Sequence, residues 1–201
     1  PTGYELDGDP VPPYVYPVHA SGGLFATAAD IARFAQAEMT GSFAADSTIL
    51  SQASIRAIQT PQIDIPGMFG VVADDYGFGH FIETLPHGQR AIWHGGQGHG
   101  WMTHFHVVPE SGDTIVILTN SQRSWPFIAR VLNDWAQYSG HESVKMGRIT
   151  AATRGFWVLV MALFAMSVSG LVRVVGGLVK GRRKLAPFAA NAGIQRAVLA
   201  A

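Results

Sequence analysis

The 201 residues include no cysteine. That excludes a disulfide-stapled fold and any metal site built on thiolates, and it leaves the redox compartment open. Charge is also sparse, at 14% of residues, and acids stop altogether after Glu142. Internal repeats and low-complexity tracts are missing. With 48% hydrophobic residues, the chain is neither collagen-like nor disordered and fits one or two ordinary domains.

The missing acids turn a formal net charge of zero into two opposite charges. Up to Glu142 there are fourteen acids against five bases, a formal −9. From Lys145 to Arg196 there are nine bases and no acid, a formal +9. Such asymmetry asks for a membrane or a polyanion. The run GFWVLVMALFAMSVSGLV supplies the membrane: Gly155 to Val172 is free of charge, and the apolar pattern resumes after Arg173 to Val179. A helix of that length nearly crosses a hydrocarbon core, and an arginine near its end can snorkel to the interface. Beyond it stands the KGRRK cluster, Lys180 to Lys184, whereas Lys145, Arg148 and Arg154 are sparser before it. The positive-inside rule then puts the basic tail in the cytoplasm of a bacterial-type plasma membrane and the acidic body outside. A basic cluster just past an apolar span reads as lipid-facing, so the expected partner is a bilayer and not nucleic acid.

The expected organisation is a body over residues 1–142, a linker over 143–154, a transmembrane helix over 155–179 and a cytoplasmic tail over 180–201. Pro1 is not an initiator, no signal peptide precedes the body, and the mildly apolar tail after Pro187 stops abruptly. The chain therefore reads as a fragment whose tail is a candidate lead-in to another span.

Within the body, Pro1–His19 carries five prolines and reads as a loop. Thr27-Ala28-Ala29-Asp30 is a capping-box start for a helix with Ile31, Phe34 and Ala35 on its apolar face, and Gly41 is a plausible stop. A short helix follows from Ser51, burying Ile55 and Ile58 and ending before Pro61. The period then becomes extended. Tyr76–Glu83, Arg90–His94, Trp101–Val108 and Thr114–Thr119 read as strands, with Pro109–Asp113 as the turn between the last two. Thr114–Thr119, apolar on both faces, is expected to be central and covered on both sides. A last helix starts near Ser124 to Pro126, buries Ile128, Val131, Leu132 and Trp135, and ends at Gly140. The expected class is α+β, an antiparallel sheet flanked by helices.

The chemically suggestive segment is Trp93-His94-Gly95-Gly96-Gln97-Gly98-His99-Gly100-Trp101. Taken alone it reads equally as a glycine-rich hairpin with two exposed histidines. An oxyanion loop of the lipase HGGG type fails, since no serine in the chain stands in a G-x-S-x-G elbow. His94, His99, His104 and His106 leave a histidine metal module as an alternative, but no H-E-x-x-H or cysteine accompanies them, so no metal or other cofactor is assigned.

Four segments together carry a resemblance. His94-Gly95-Gly96 with its glycine-rich continuation, the Val108-Pro109-Glu110 hairpin, the Gly22-Gly23-Leu24 entry leading to Thr27, Asp30 and Phe34, and Tyr76-Gly77-Phe78-Gly79 occur in the order found in serine β-lactamase-related hydrolases. That family includes class C β-lactamases, penicillin-binding-protein-like peptidases, D-aminopeptidases and esterases. The resemblance covers Ala20 to Ala136 and implies a partial β-lactamase/transpeptidase-like fold. His94 then resembles the Lys or His of the K-T-G or H-x-G triad beside the nucleophile's proton network, with Gly96 completing the triad. Gly95 and Gly96 would leave room for a substrate to lie along the strand edge, Gly95 and Gly98 are the expected substrate-binding residues, and the Gln97 backbone N–H maps onto an oxyanion-hole donor. The family's S-x-x-K nucleophile and Y-x-N loop do not occur in these 201 residues, so this chain is expected to be inactive alone. The H-G-G variant lacks a fixed cation, which lowers the expectation of β-lactam turnover. It favours amide, ester or D-amino-acid peptide-like substrates of the cell envelope. The alternative from another class is a non-catalytic ligand-binding or regulatory ectodomain of the same fold.

Overall fold

A computed structural model describes residues 1–12, 15–18, 22–39 and 50–183. Helix α1 (Ala28–Gln36) starts on the expected capping box. The Thr27 hydroxyl accepts from the Asp30 N–H at 3.2 Å, and the Asp30 carboxylate accepts from the Thr27 N–H at 3.1 Å. Two of the helix's orphan donors are thereby satisfied at once. The helix closes at Ala37, and the expected stop at Gly41 lies outside the described residues. Helix α2 (Gln52–Ile58) is capped by Ser51 and buries Ile55, while Ile58 stays half-buried.

The sheet is a six-stranded antiparallel meander in sequence order: β1 (Ile63–Asp64), β2 (Asp75–Tyr76), β3 (Phe81–Thr84), β4 (Arg90–Gly98), β5 (Trp101–Val108) and β6 (Asp113–Thr119). The class is α+β. A 3-10 helix (Gly67–Val71) joins β1 and β2, and neither it nor β1 was expected. Three expectations need correcting. Tyr76–Glu83 is two strands, because the chain turns at Gly77–His80: the Gly77 N–H donates to the His80 carbonyl at 2.8 Å and Gly79 takes φ of 79°. A side chain at Gly77 would also stand 2.5 Å from the Ile58 carbonyl. Strand β4 does not end at His94 but carries its glycines on to Gly98. Finally, β6 is the last strand in the sheet among the described residues, not a central one. Its two-sided apolarity has another cause: α1 packs on β5 and β6, and α3 (Trp125–Tyr138) also packs on β6.

Two apolar clusters occupy the two faces. Ala91, Trp93, Met102, Val108 and Ile117 pack with Ile128, Ala129, Leu132 and Ala136 of α3. On the opposite face, Ile82, Ile92 and Val107 pack with Ala35 and Met39. Adjacent β4 residues enter different clusters, as the two-residue period of a strand requires.

Helix α4 (Gly147–Val179) starts inside the expected linker, so only residues 143–146 of its first part are non-helical. Two compact units divide between Thr153 and Arg154. The 33-residue helix is about 50 Å long. Its most apolar window has a mean hydropathy of 2.2 and buries none of its residues, so by length and composition it is able to cross a membrane.

Leu132 is fully buried in the α3 cluster. Leu132→Ala is expected to destabilise the first unit by about 2–5 kcal/mol, measured as a lowered midpoint in urea unfolding. An unchanged midpoint would show that α3 does not hold the sheet.

Candidate functional site

Strand β4 has two neighbours for only half of its length. Its partner β3 pairs from Thr84↔Arg90 to Phe81↔Trp93 and stops there, whereas β5 continues alongside through His94↔Phe105, Gly96↔Thr103 and Gly98↔Trp101. Among the described residues, His94–Gly98 therefore has one open backbone edge. The alternation of an antiparallel ladder decides which groups face it. The Leu85 N–H donates to the Gln89 carbonyl at 2.8 Å and closes the β3–β4 hairpin. Odd-numbered β4 residues consequently aim their backbone groups at the β3 side, and past Phe81 those of Gly95 and Gln97 meet the open edge. His99 is next in the series, and its N–H donates to the Tyr16 hydroxyl at 3.0 Å. A shallow depression of about 410 Å³ lies there, lined by Tyr16, Gln97, Gly98, His99 and Gln122.

The glycines have structural reasons of their own. A side chain on Gly96 would meet the Thr103 hydroxyl at 2.4 Å, and one on Gly98 would meet the Tyr16 hydroxyl at 2.0 Å. Gly95 and Gly98 are half-buried, while Gly96 and Gln97 are exposed.

His94 stands on the α1 face, half-buried, opposite Phe105. Its Nε2 lies 3.4 Å from the Tyr76 hydroxyl and its ring 5.6 Å from that of Phe81. Burial, then the charge of nearby His80, pulls the His94 pKa below the ordinary value, against a backbone hydrogen bond at Gly95. Near neutral pH it is an uncharged imidazole, able to accept a proton on one side and donate on the other. The five residues singled out in the sequence, His94, Gly95, Gly96, Gln97 and Gly98, all lie on β4. Tyr76 entered only as part of the Y-G-x-G pattern.

With this geometry in view, the comparison with family models is informative: the Beta-lactamase model matches residues 2–137. The chain belongs to the beta-lactamase family. A comparison with curated proteins finds no match.

The other candidate ligands, His99, His104 and His106, do not share a site with His94. His99 is exposed at the β4–β5 hairpin, with Nδ1 3.2 Å from Glu5. His104 and His106 lie on the α3 face, and no group of three potential ligands arranged for a metal ion occurs among the described residues. Instead they form a buried stack: Trp93 to His104 at 5.1 Å between ring centres, then His104 to His106 at 5.7 Å. His104 Nε2 and His106 Nδ1 are 3.4 Å apart. Glu83 ends the row, with Oε1 3.5 Å from His106 Nε2 and Oε2 accepting the Lys145 N–H at 2.7 Å. Trp93 Nε1, His104 Nδ1, His106 Nε2 and Glu83 Oε1 have no hydrogen bond. Such a site disfavours charge on every member. Burial, chiefly, pushes Glu83 up to about 7, opposed by the Lys145 N–H and charge. It also pulls His104 down to about 3, with a further contribution from His94. His106 falls well below its ordinary value for the same reason, with His104 and His141 adding to burial.

These shifts give the domain a stability optimum. Glu83 has a raised folded pKa, so its unfolded form releases the proton first, and stability falls as pH rises from about 4.5 through about 7. His104 has a depressed folded pKa, so its unfolded form binds the proton first, and stability falls as pH drops from 6.5 towards 3. Glu83→Gln keeps a donor towards His106 without the charge. It is expected to gain up to ~3 kcal/mol on wild type at pH 8 and far less at pH 5, read by urea unfolding at both values. An equal effect at the two pH values would contradict a neutral Glu83.

Proposed function

We propose that these residues are the substrate-edge half of a membrane-anchored serine hydrolase that faces outward and cleaves amide, ester or D-amino-acid peptide-like envelope substrates. The observation that carries this reading is the open edge of β4 beside an uncharged His94, inside a beta-lactamase domain. A substrate lying along that edge as an added strand would pair with the backbone of Gly95 and Gln97. The Gln97 N–H would face the carbonyl oxygen that becomes negative when a serine adds to the acyl carbon, a contribution of about 2.7–4 kcal/mol to the barrier. His94 would relay a proton between the nucleophile's network and the leaving group.

No serine here has a lysine three residues on, and no tyrosine has an asparagine two on. A nucleophile and its base act as a unit, so the reading places both in chain outside this sequence and makes these 201 residues inactive alone. Helix α4 would be the anchor, and the dense KGRRK side of its flanks would be cytoplasmic.

The test is labelling of the native membrane protein with a fluorophosphonate. The expected product is one modified serine outside these residues, no labelling of the 201-residue chain by itself, and faster turnover of acyl esters or D-peptides than of β-lactams. His94→Ala should lower kcat/KM of the native enzyme by about 10²–10⁴-fold. Absence of labelling would favour the non-catalytic ectodomain, and efficient β-lactam turnover without ester or peptide turnover would overturn the substrate class. Protease added to intact cells should cut the beta-lactamase domain and spare the KGRRK tail; the reverse would invert the topology.

A further inference from the structure

Glu38, just after α1, and His80, in the turn between β2 and β3, are 42 positions apart in sequence, yet the two meet in the interior. Glu38 is 1% exposed and His80 6%. His80 Nδ1 lies 3.0 Å from the Phe78 carbonyl oxygen, and Nε2 lies 2.9 Å from Glu38 Oε1. A carbonyl only accepts, so Nδ1 carries a hydrogen. The Glu38 contact and the Phe78 carbonyl together favour a proton on both ring nitrogens and raise the His80 pKa against its burial, while Glu38 Oε2 has no hydrogen bond.

The pair lies beside His94. The His80 ring meets Phe105 edge-on at 5.9 Å between centres, and Phe105 is the residue directly opposite His94 in the sheet. The turn that carries His80 also carries Tyr76, whose hydroxyl faces His94 Nε2 at 3.4 Å. The same turn is tied to α2 by the Phe78 N–H on the Ile58 carbonyl at 3.1 Å. Glu38 is tied to that region too, its carbonyl accepting from Gln59 Nε2 at 2.7 Å. One ion pair thus stitches the ends of α1 and α2 to the turn that presents Tyr76.

We infer that the Glu38–His80 pair is a positioning device for His94: it fixes the Tyr76 turn against the sheet and stands an imidazolium next to His94, so that His94 works as a neutral proton carrier. The inference deepens the proposed hydrolase and rests on it for the word carrier, but the charge coupling stands by itself. A like charge nearby disfavours a proton on His94, in the same direction as its burial. Burial alone would lower His80 as well, but the hydrogen bond and charge of Glu38, with the Phe78 carbonyl, outweigh it and raise the His80 pKa. Among the described residues, the titratable groups facing this pair and His94 are Tyr76 from β2 and, through the sheet, His104 from β5.

The test reads protonation directly and needs no activity. Histidine labelled with ¹⁵N and ¹³C in the 201-residue chain, held in detergent micelles, reports each ring by NMR. In wild type, His80 is expected to carry hydrogens on both nitrogens at pH 7, and His94 to titrate below about 6.5. His80→Gln retains a donor for Glu38 and removes the charge; Glu38→Gln removes the partner that holds the charge. Both should raise the His94 midpoint by at least about 0.5 pH unit. A neutral His80 in wild type overturns the proposal, as does an unchanged His94 midpoint in a folded variant. Should both variants fail to fold, the state of His80 in wild type decides. In the native enzyme, His80→Gln should move the acidic limb of the kcat/KM pH profile upward by the same interval. An inactive native protein with the NMR shift intact would refute the hydrolase reading and leave the coupling standing.

Discussion

Everything at the candidate site depends on β4 being paired on both sides up to Trp93 and on one side beyond it. Had β3 continued, the backbone groups of Gly95 and Gln97 would be consumed by the sheet. It stops because the chain turns at Gly77–His80, where Gly79 takes a left-handed conformation and Gly77 lies too close to the Ile58 carbonyl for any side chain. An open strand edge is ordinarily a hazard for aggregation. Here it is short, bounded by the Phe81↔Trp93 pair at one end and by Tyr16 on the His99 N–H at the other.

The two faces of that edge handle buried polar groups in opposite ways. On the α3 face, Glu83, His104 and His106 share a site poor in hydrogen bonds, and burial shifts each towards its uncharged form, the glutamate upward and both histidines downward. On the α1 face, His80 Nε2 lies 2.9 Å from Glu38 Oε1, and that contact raises the His80 pKa, although Glu38 Oε2 is also without a partner. A buried ion pair is weak evidence for stability, because desolvation offsets its attraction. Its value here lies in orientation, since it ties a turn to two helices and places His80 beside His94 at the start of the open edge.

How much of this was legible follows from the range of the interactions involved. The Thr27–Asp30 capping box, the Pro109–Asp113 turn and the His94-Gly95-Gly96 triad are local patterns, and the sequence states them outright. Thr114–Thr119 misled because two-sided apolarity reports cover and not centrality: α1 and α3 both pack on a strand that is last in the sheet. The glycines of β4 have more than one reason to be there. They suggested room for a substrate, yet Gly96 and Gly98 already answer to Thr103 and Tyr16. Nothing local could announce Glu38 and His80. A glutamate after a helix and a histidine in a turn are ordinary surface residues until the fold brings them together.

The pair also bears on which substrates the edge suits. A K-T-G lysine would present a fixed cation to a substrate carboxylate. On the proposed reading that strand position is His94, whose pKa burial lowers, and the buried His80 beside it is paired with Glu38. Arg33, the base on α1, is engaged with Asp30 on an exposed surface, at 3.1 Å. On the proposed reading, the strand therefore offers a substrate backbone hydrogen bonds and a proton carrier, but no uncompensated cation. A ligand held mainly through a carboxylate would leave that charge poorly paired, at a cost that rises as water is excluded. An acyl ester or amide carrying no charge at that position meets no such cost, which is why the proposed reading favours such substrates over ones held through a carboxylate.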